Sequence, residues 1–309
     1  MAMPKVSVCV VSYNQKLFIE ECLESLIRQD VDFEFEIIVS DDCSTDGTRL
    51  IVENYVRRYP GLIRDVSPDA NLGPFKNYLR VHEQARGEYV AHMDGDDYAL
   101  AGKLRKQAEL LDSNVDCSMV FHLCSSLYPD GSLTLPKSVG GFEPCDFAQF
   151  IYRHPSRSWH SSKMYRRSAN DFTKEKASEF IDKHIHFEHG LAGLVGFVDE
   201  VLGVYRVGEG ISSNIYKTQK LALDSYSYAI KLGYDPDLIE KIIARENFEQ
   251  GLRALSIGDH GAFSENVSIG YSNGYRTPNA VLAYALKSRP GVYRGVRDGL
   301  RWLRGKVRK

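Results

Sequence analysis

Three carboxylates lie within four positions at Asp94-Gly95-Asp96-Asp97. They directly follow the apolar run at residues 88–93, whose composition is typical of a buried strand. Carboxylates this close together repel one another, so a cation or several hydrogen-bond donors must offset their charge. Oxygen ligands suit Mg²⁺ and Mn²⁺. The cluster therefore predicts a divalent metal site, with a solvated Asp/Gly turn as the alternative.

A second pair of acids, Asp41 and Asp42, ends another apolar run at residues 36–40 and leads through a turn into a helix. Asp46 in that turn is interpreted as a capping residue, because its carboxylate can accept the free amides at a helix start. For Asp42 a binding role is favoured, because an acid beside another acid serves no evident packing purpose. Two strands thus bring acids to one edge of the predicted sheet.

The elements that position these acids alternate along the first hundred residues. Strand patterns at 6–11, 36–40, 62–66 and 89–93 alternate with helix patterns at 17–28, 48–59 and 75–85. This alternation predicts an α/β fold whose sheet is mostly parallel and flanked by helices. Ligands bind beyond the carboxyl ends of such strands, where Ser12, Tyr13 and Asn14 emerge together with both groups of acids.

The rest of the chain gives weaker patterns. A helix is predicted at 103–111 and strands at 118–123 and 161–166, followed beyond residue 214 by helices at 218–232, 236–257, 262–271 and 279–287. The predicted organisation is a catalytic domain at 1–214, with a nucleotide-binding half at 1–100 and an acceptor half at 101–214. A helical C-terminal region follows at 215–309.

Bulk properties exclude several classes of protein. A hydrophobic content of 43% over 309 residues excludes general disorder, and a net charge of -2 gives no reason to expect nucleic-acid binding. The six cysteines show no zinc-binding spacing, which favours reduced, buried thiols. No apolar run is long enough for a signal peptide or a membrane span, so we expect a cytoplasmic protein.

The segment 289–309 differs from the rest of the chain. Valine and leucine side chains recur on one helical face of it, while arginines occupy the other, which predicts a basic amphipathic helix. Such a helix either packs on the catalytic domain or lies peripherally on an anionic membrane surface. Nucleic acid is the third and least favoured partner, because the segment lacks a regular interleaving of aromatic and basic residues.

The chain resembles the inverting nucleotide-sugar glycosyltransferases of family 2, which have the GT-A fold. The resemblance rests on six elements that run in family order over about two-thirds of the sequence: residues 6–14, 37–48, 71–73, 85–90, 94–97 and 199–206.

The resemblance implies a role for each residue that matches a family motif. Asp42 would accept a hydrogen bond from the nucleobase, and Asp96 would bind the Mn²⁺ or Mg²⁺ that bridges the two phosphates, with Asp94 in the ribose or metal shell. Arg206 would reach the diphosphate. The further donor-binding residues that it implies are Ser12, Tyr13, Asn14, Asp41, Asn71, Lys76 and Asn77.

An inverting transferase also needs a base that takes the proton of the acceptor hydroxyl. The family spacing identifies Asp182, eleven residues before Gly193, as this base, although Ile181 stands where relatives carry an acid or glycine. Glu179 and Glu188 are the alternatives. Trp159 and His160 lie where relatives place part of the acceptor pocket, and a Trp there could equally belong to the core.

A second departure from the family is Gly208, where relatives often carry a histidine that joins the metal shell. Either water, a phosphate oxygen, or one of His184, His186 and His189 would then fill that position, or the metal would be bound more weakly than usual. The resemblance implies a donor that is a uridine diphosphate sugar. It implies an acceptor that is a glycan, with a lipid-linked saccharide of bacterial surface polysaccharide or lipopolysaccharide assembly favoured.

Two other functions remain open from the sequence. A haloacid-dehalogenase phosphatase also uses a strand-end Asp-x-Asp, but it carries Thr or Val where this chain has Tyr98. A catalytically degenerate sugar-nucleotide-binding or scaffold protein would fit the departures at Ile181 and Gly208.

Overall fold

The computed structural model describes residues 3–169, 182–208 and 215–307, and the side chains of these ranges except 215–218 and 299–307. The alternative base Glu179 and the departure at Ile181 lie outside the described residues. The chain separates into two compact units, Met1–Ser225 and Tyr226–Lys309. The predicted domain boundary after residue 214 stays a prediction.

The first unit follows the predicted alternation of strands and helices. Its strands are β1 (Val6–Ser12), β2 (Phe35–Asp41), β3 (Ile63–Asp65), β4 (Tyr89–Asp94), β5 (Tyr98–Ala99), β6 (Cys117–Leu127), β7 (Leu133–Thr134), β8 (Met164–Arg166) and β9 (Leu194–Arg206). Its helices are α1 (Ile19–Ile27), α2 (Thr48–Arg58), α3 (Pro74–Glu83), α4 (Lys103–Ser113), α5 (Phe147–Arg153) and α6 (Asp182–Gly190), and α7 (Ile215–Lys231) leads into the second unit.

One sheet runs through the first unit in the order β3-β2-β1-β4-β8-β6-β9-β5, with β7 paired to β6. The pairs β1–β2, β1–β4, β2–β3 and β6–β9 are parallel, whereas β5, β7 and β8 pair antiparallel. The register places Ser12 opposite Asp41 and Val11 opposite Asp94. The predicted α/β architecture is therefore confirmed, and the ends of β1, β2 and β4 meet at one edge.

The central strands are apolar on both faces because helices cover both. Val6, Val8 and Val10 of β1 are fully buried in a core that also contains Leu23 and Leu26 of α1. Cys9, on the other face of β1, is also buried, and its thiol contacts the carbonyl of Val81 in α3. A near-continuous apolar run is typical of parallel strands buried in this way.

The predicted strand at 161–166 is only partly correct. Residues His160–Ser162 form a 3₁₀ turn, and β8 begins at Met164. Ser162 donates both its backbone N–H and its hydroxyl to the carbonyl of Trp159, at 3.0 and 2.8 Å. Serine side chains that bond nearby backbone in this way compete with strand pairing.

The second unit is helical, as the sequence predicts. It contains α8 (Pro236–Ser256), α9 (His260–Ser272), α10 (Pro278–Ala285) and α11 (Pro290–Val307). Helices α8 to α10 are preceded by the N-cap residues Asp235, Asp259 and Thr277, whose side chains accept a backbone N–H of the first turn. None of the described helices combines the length and the apolar character that crossing a bilayer requires.

Candidate active site

The acids at the end of β2 are built into the loops around them. Asp41 is fully buried, and its carboxylate accepts the hydroxyl of Ser12 at 3.1 Å and the backbone N–H of Ser44 at 3.0 Å. The Ser44 hydroxyl donates to the same carboxylate. Asp41 thus joins the end of β1 to the turn after β2.

Asp42 organises the segment that leads into α3. Its two carboxylate oxygens accept the backbone N–H groups of Leu72 and Gly73 at 2.7 and 2.9 Å, and the Asn71 amide donates to its carbonyl at 2.8 Å. Each oxygen keeps further acceptor capacity. Contact between Asp42 and a nucleobase stays a prediction.

Two more of the predicted donor-binding residues lie on α3. Asn77 is buried and exchanges hydrogen bonds with the Ser40 hydroxyl and carbonyl, at 2.5 and 2.9 Å. Lys76 is exposed one position earlier. The structure thus ties Asn77 to β2 and leaves Lys76 at the surface.

The loop after β1 lies beside these acids. Asn14 has a left-handed backbone with φ of 52°, and its side-chain oxygen accepts the backbone N–H of Thr45 at 2.9 Å. Tyr13 is 50% exposed. The loop is therefore anchored through Asn14 and presents the Tyr13 ring to solvent.

Gly95 allows the loop at residues 94–97, here called the acid loop, to approach β1 and α1. A Cβ atom at this position would lie 2.5 Å from Gln15 Oε1 and 3.0 Å from both Ser12 Cβ and Ile19 Cδ1. The Gly95 N–H donates to the Val11 carbonyl at 2.8 Å. Only glycine fits this approach without displacing neighbours, which explains its place between Asp94 and Asp96.

Asp94 is contacted from two sides. His92 Nε2 lies 3.1 Å from Oδ1, and the Ser161 hydroxyl lies 3.1 Å from Oδ2. The Asp94 side chain is 33% exposed. Its carboxylate is therefore oriented by protein donors and still accessible.

Asp97 and Arg206 connect the acid loop to the end of β9. Asp97 is buried, and it accepts the Ser161 hydroxyl at 2.6 Å and the Arg206 backbone N–H at 2.9 Å. The Arg206 guanidinium donates to the Asp96 carbonyl and to the Glu21 carboxylate, and it lies 4.8 Å from the Phe18 ring centre. Arg206 thus fixes the acid loop, and its predicted contact with a diphosphate stays a prediction.

The electrostatics of the acid loop favour a cation. Burial raises the pKa of Asp94 to about 6. Burial also raises the pKa of Asp97 well above its ordinary value, and repulsion by Asp94 and Asp96 adds to this rise. A nearby positive charge would offset that repulsion and favour the ionised carboxyls.

The donor set of the loop fits a metal that is shared with a ligand. Asp94 and half-buried Asp96 supply the hard oxygen atoms that Mg²⁺ and Mn²⁺ prefer. Within the described residues, no group of three or more His, Cys, Asp and Glu side chains is arranged to bind a metal. Water or phosphate oxygens would therefore complete the coordination, as is usual for Mg²⁺.

The predicted base opens α6. Burial raises the pKa of Asp182, and the Asp94 carboxylate contributes to this rise, while Lys183 and Lys163 oppose it. Burial lowers the pKa of Lys163 to about 7 against the attraction of Asp182 and Asp94. Asp182 is therefore close enough to the acid loop to interact electrostatically with it.

The predicted acceptor residues divide between two environments. Trp159 is half-buried and stacks on Tyr205 with ring centres 4.9 Å apart. His160 instead joins an internal cluster, with its ring 3.8 Å from that of His92 and its Nδ1 3.1 Å from His186 Nε2.

The other histidines considered for the metal shell also have protein contacts. His184 lies 3.4 Å from Asp224, and the His189 ring stacks on Tyr165 at 4.0 Å. Gly208 has a φ of 93°, a conformation that a histidine would adopt only with strain. The backbone at this position is thus one that favours glycine.

Sequence reasoning missed the residues that orient the acids. His92 lies two positions before Asp94 in β4, so strand alternation places both side chains on one face, and this signal could have found it. Ser161 gave no such signal, because it reaches Asp94 and Asp97 from a turn more than sixty residues away.

Comparison with known proteins agrees with this geometry. The sequence profile of Glycosyl transferase family 2 matches residues 7–172. An uncharacterized protein of Mycobacterium tuberculosis is 32% identical over 208 residues, which are 65% of this chain and 58% of that protein. The chain thus spans a little over half the length of this curated relative.

A poly(ribitol-phosphate) beta-N-acetylglucosaminyltransferase of Staphylococcus aureus, TarS, is 39% identical over 113 residues, 36% of this chain and 20% of TarS. The crystal structure of TarS 1–349 in complex with UDP-GlcNAc superposes with a TM-score of 0.64 at 22% identity, covering 94% of this chain and 87% of that one. A mannosyltransferase from Pyrobaculum calidifontis, in complex with GDP-Man and Mn²⁺, gives 0.60 at 18% identity, covering 96% and 83%. These two structures confirm the expected GT-A fold.

Proposed function

This chain belongs to glycosyl transferase family 2, and from that premise we propose that it is an inverting, metal-dependent glycosyltransferase. It transfers one sugar from a nucleotide diphosphate donor, a uridine diphosphate sugar, to a hydroxyl group of a glycan acceptor. The observation that carries the proposal is the acid loop after β4, whose Asp94 and Asp96 stay accessible beside the ends of β1 and β2.

The metal is Mn²⁺ or Mg²⁺, and Asp96 and Asp94 are the residues that would bind it. When bound, it supplies positive charge that offsets the charge gained by the departing diphosphate. His92 orients the Asp94 carboxylate, and Arg206 fixes the Asp96 backbone. The same proposal places the β1 loop, Asp42 and the residues of α3 in contact with the donor, whereas Asp41 serves donor binding by fixing the β1 loop and the turn after β2.

Asp182 is the proposed base that takes the proton from the attacking acceptor hydroxyl. Its raised pKa makes it a stronger proton acceptor than an ordinary aspartate while it is ionised. Because the base must be ionised to act, turnover should increase as the pH rises through this raised pKa. Trp159 offers an aromatic face against which a sugar of the acceptor can stack.

The acceptor is proposed to be a saccharide of a bacterial surface polymer. TarS, named for its action on poly(ribitol-phosphate), supports a cell-surface polymer as the acceptor class. A lipid-linked saccharide is favoured because α11 could bring the enzyme to an anionic membrane. Val292 and Val296 lie one turn apart on α11 and are 51% and 40% exposed, whereas Tyr293 is buried. Residues 289–309 contain eight basic residues and one acid.

Donor breakdown by the purified protein tests the enzymatic function. A panel of nucleotide sugars, incubated with and without Mn²⁺, should show slow release of the nucleotide diphosphate from one donor only when the metal is present. A degenerate binding or scaffold protein would instead bind the nucleotide, seen as a rise in melting temperature, without breaking it down. Release that is equal with and without metal would contradict metal dependence.

Asp182→Asn tests the base separately from the donor site. The amide cannot accept the proton, so transfer to an acceptor should fall by about 10²- to 10⁴-fold. Binding of UDP with Mn²⁺ should be unchanged, and Glu188→Gln, the same change at the alternative base on α6, should leave transfer near normal. A near-normal transfer rate in Asp182→Asn would reassign the base.

Membrane docking is tested with vesicles of phosphatidylcholine alone or mixed with phosphatidylglycerol. The protein should sediment with the anionic vesicles and be released by salt, because each basic residue near the surface contributes about 1 kcal/mol. Val296→Glu should weaken sedimentation, whereas Val281→Glu, at an exposed position of α10, should not. Equal sedimentation of both variants would remove α11 as the docking element.

A further inference from the structure

A line of hydrogen bonds runs through the interior and ends at Asp94. The Tyr165 hydroxyl lies 2.7 Å from His82 Nδ1, His82 Nε2 lies 2.9 Å from His92 Nδ1, and His92 Nε2 lies 3.1 Å from Asp94 Oδ1. Tyr165, His82 and His92, here called the histidine line, are 0%, 3% and 0% exposed. They come from β8, α3 and β4, so the line depends on the tertiary fold.

The protons of the line can be assigned by elimination. An ionised Asp94 only accepts hydrogen bonds, so His92 must carry its proton on Nε2. Each ring faces one partner at each of its two nitrogens, and a neutral ring has one N–H to donate, so the line has a single consistent direction. His92 Nδ1 therefore accepts from His82 Nε2, and His82 Nδ1 accepts from the Tyr165 hydroxyl.

The second donor near Asp94 does not replace His92. The Ser161 hydroxyl has one proton, and its oxygen lies closer to Asp97 Oδ2, at 2.6 Å, than to Asp94 Oδ2, at 3.1 Å. While Asp97 is ionised, the Ser161 hydroxyl donates its proton preferentially to Asp97. His92 is then the side chain that donates to Asp94.

Stacked rings fix the orientation of the line. Tyr78 lies against His82 with ring centres 3.9 Å apart, and His160 lies against His92 at 3.8 Å. Aliphatic side chains could fill the same interior without the cost of burying polar nitrogen atoms. The polar chain instead ends at Asp94, whose side chain stays 33% exposed.

We propose that His92 is a positioning residue that aims the Asp94 carboxylate at the position the divalent metal would take, and that His82 and Tyr165 select the His92 tautomer that does so. The inference rests on the proposed function, because it assigns Asp94 to the donor site. It adds three residues that lie outside the donor site and act through Asp94.

Two substitutions at His92 separate positioning from packing. Glutamine places an amide N–H near the position of Nε2 and can still donate to Asp94, whereas asparagine reaches only the position of Nδ1. His92→Asn should weaken Mn²⁺ binding in the presence of UDP by about 10- to 100-fold, and kcat should fall with it. His92→Gln should restore most of both, and KM for the acceptor should change little in either variant.

Binding is measured by counting free Mn²⁺ in the presence of UDP by electron paramagnetic resonance, so that the result does not require turnover. The melting temperature without ligand should fall in both variants, because each breaks part of a buried line. Tyr165→Phe should give a smaller loss of Mn²⁺ binding, because it removes only the hydroxyl at the end of the line farthest from Asp94.

The outcomes separate the inference from the proposed function. Wild-type protein that does not bind Mn²⁺ with UDP would overturn the metal role and the inference with it. Wild-type protein that binds Mn²⁺, with equal binding in His92→Asn, would overturn the inference alone. Equal losses of Mn²⁺ binding in His92→Asn and His92→Gln, in proportion to the drop in melting temperature, would show that His92 acts through packing alone. That result would also overturn the inference.

Discussion

The acids after β2 and the acids after β4 look alike in sequence but differ in the structure. Asp41 and Asp42 are 0% and 3% exposed, and their oxygens accept hydrogen bonds from neighbouring loops. Asp94, in contrast, keeps a third of its side chain exposed, and Asp96 is half-buried. A strand-end acid can thus either build the loops of a site or face its ligand. The exposed fraction of the carboxylate side chain distinguishes the two cases.

The largest expected effect is the loss of transfer activity on substitution of an acid in the loop after β4. Asp96→Asn should lower transfer activity by about 10³-fold, or ~4 kcal/mol of transition-state stabilisation, because it removes a charged oxygen ligand. Its free energy of unfolding, measured with urea, should stay within about 0.5 kcal/mol of the wild type. Full activity in this variant would refute the metal role of Asp96 and contradict the difference between the acids after β2 and those after β4.

Asp41→Asn should show the opposite pattern. Asparagine replaces one carboxylate oxygen by an N–H₂ group, which either removes the acceptor of the Ser12 and Ser44 hydroxyls or faces the Ser44 backbone N–H, so the free energy of unfolding should fall by about 3 kcal/mol. Activity per folded molecule should fall far less than in Asp96→Asn. An unchanged stability with lost donor binding would make Asp41 a ligand-contacting residue and break the comparison.

Gly95→Ala tests whether the acid loop must approach β1 closely. The added methyl group would meet Ser12 Cβ and Ile19 Cδ1 at 3.0 Å, which should cost about 2 kcal/mol of stability. It should also displace Asp94 and Asp96 and so lower kcat. Gly61→Ala is the control, because no heavy atom lies within 4 Å of its added Cβ. Equal effects of the two variants would contradict the close approach.

The smallest effect is expected at Asp46, whose carboxylate accepts the backbone N–H groups of Thr48 and Lys16, both at 2.9 Å. Asp46→Ala should lower the free energy of unfolding by about 1 kcal/mol. Burial acts to raise the pKa of Asp46, but hydrogen bonds from Thr48 and Lys16 lower it overall. A group with a lowered pKa stabilises the fold above its ordinary pKa, near pH 4.

The difference between wild type and Asp46→Ala should therefore be constant above about pH 4 and shrink as the pH falls through the lowered pKa. Urea unfolding at several pH values measures it. A difference that persists in acid would mean that the carboxylate is not its source.

The sequence was sufficient where local patterns dominate. The strands β1, β2 and β4 were predictable from buried apolar runs, and parallel pairing then put Ser12, Asp41 and Asp94 at one edge. The long-range partners were not predictable. Ser161 and Arg206 contact the acid loop only because β8 and β9 join the sheet, and no local pattern encodes those contacts.

The contact between Arg206 and the acid loop limits how this protein could be recombined with its relatives. The family profile ends at residue 172, yet the backbone of Asp96 and the carboxylate of Asp97 are secured by a residue beyond that limit. A chimaera that exchanged the first 172 residues alone would combine the acid loop of one protein with the residue at position 206 of another. Functional hybrids should therefore cross over after residue 206, so that both parts are inherited together.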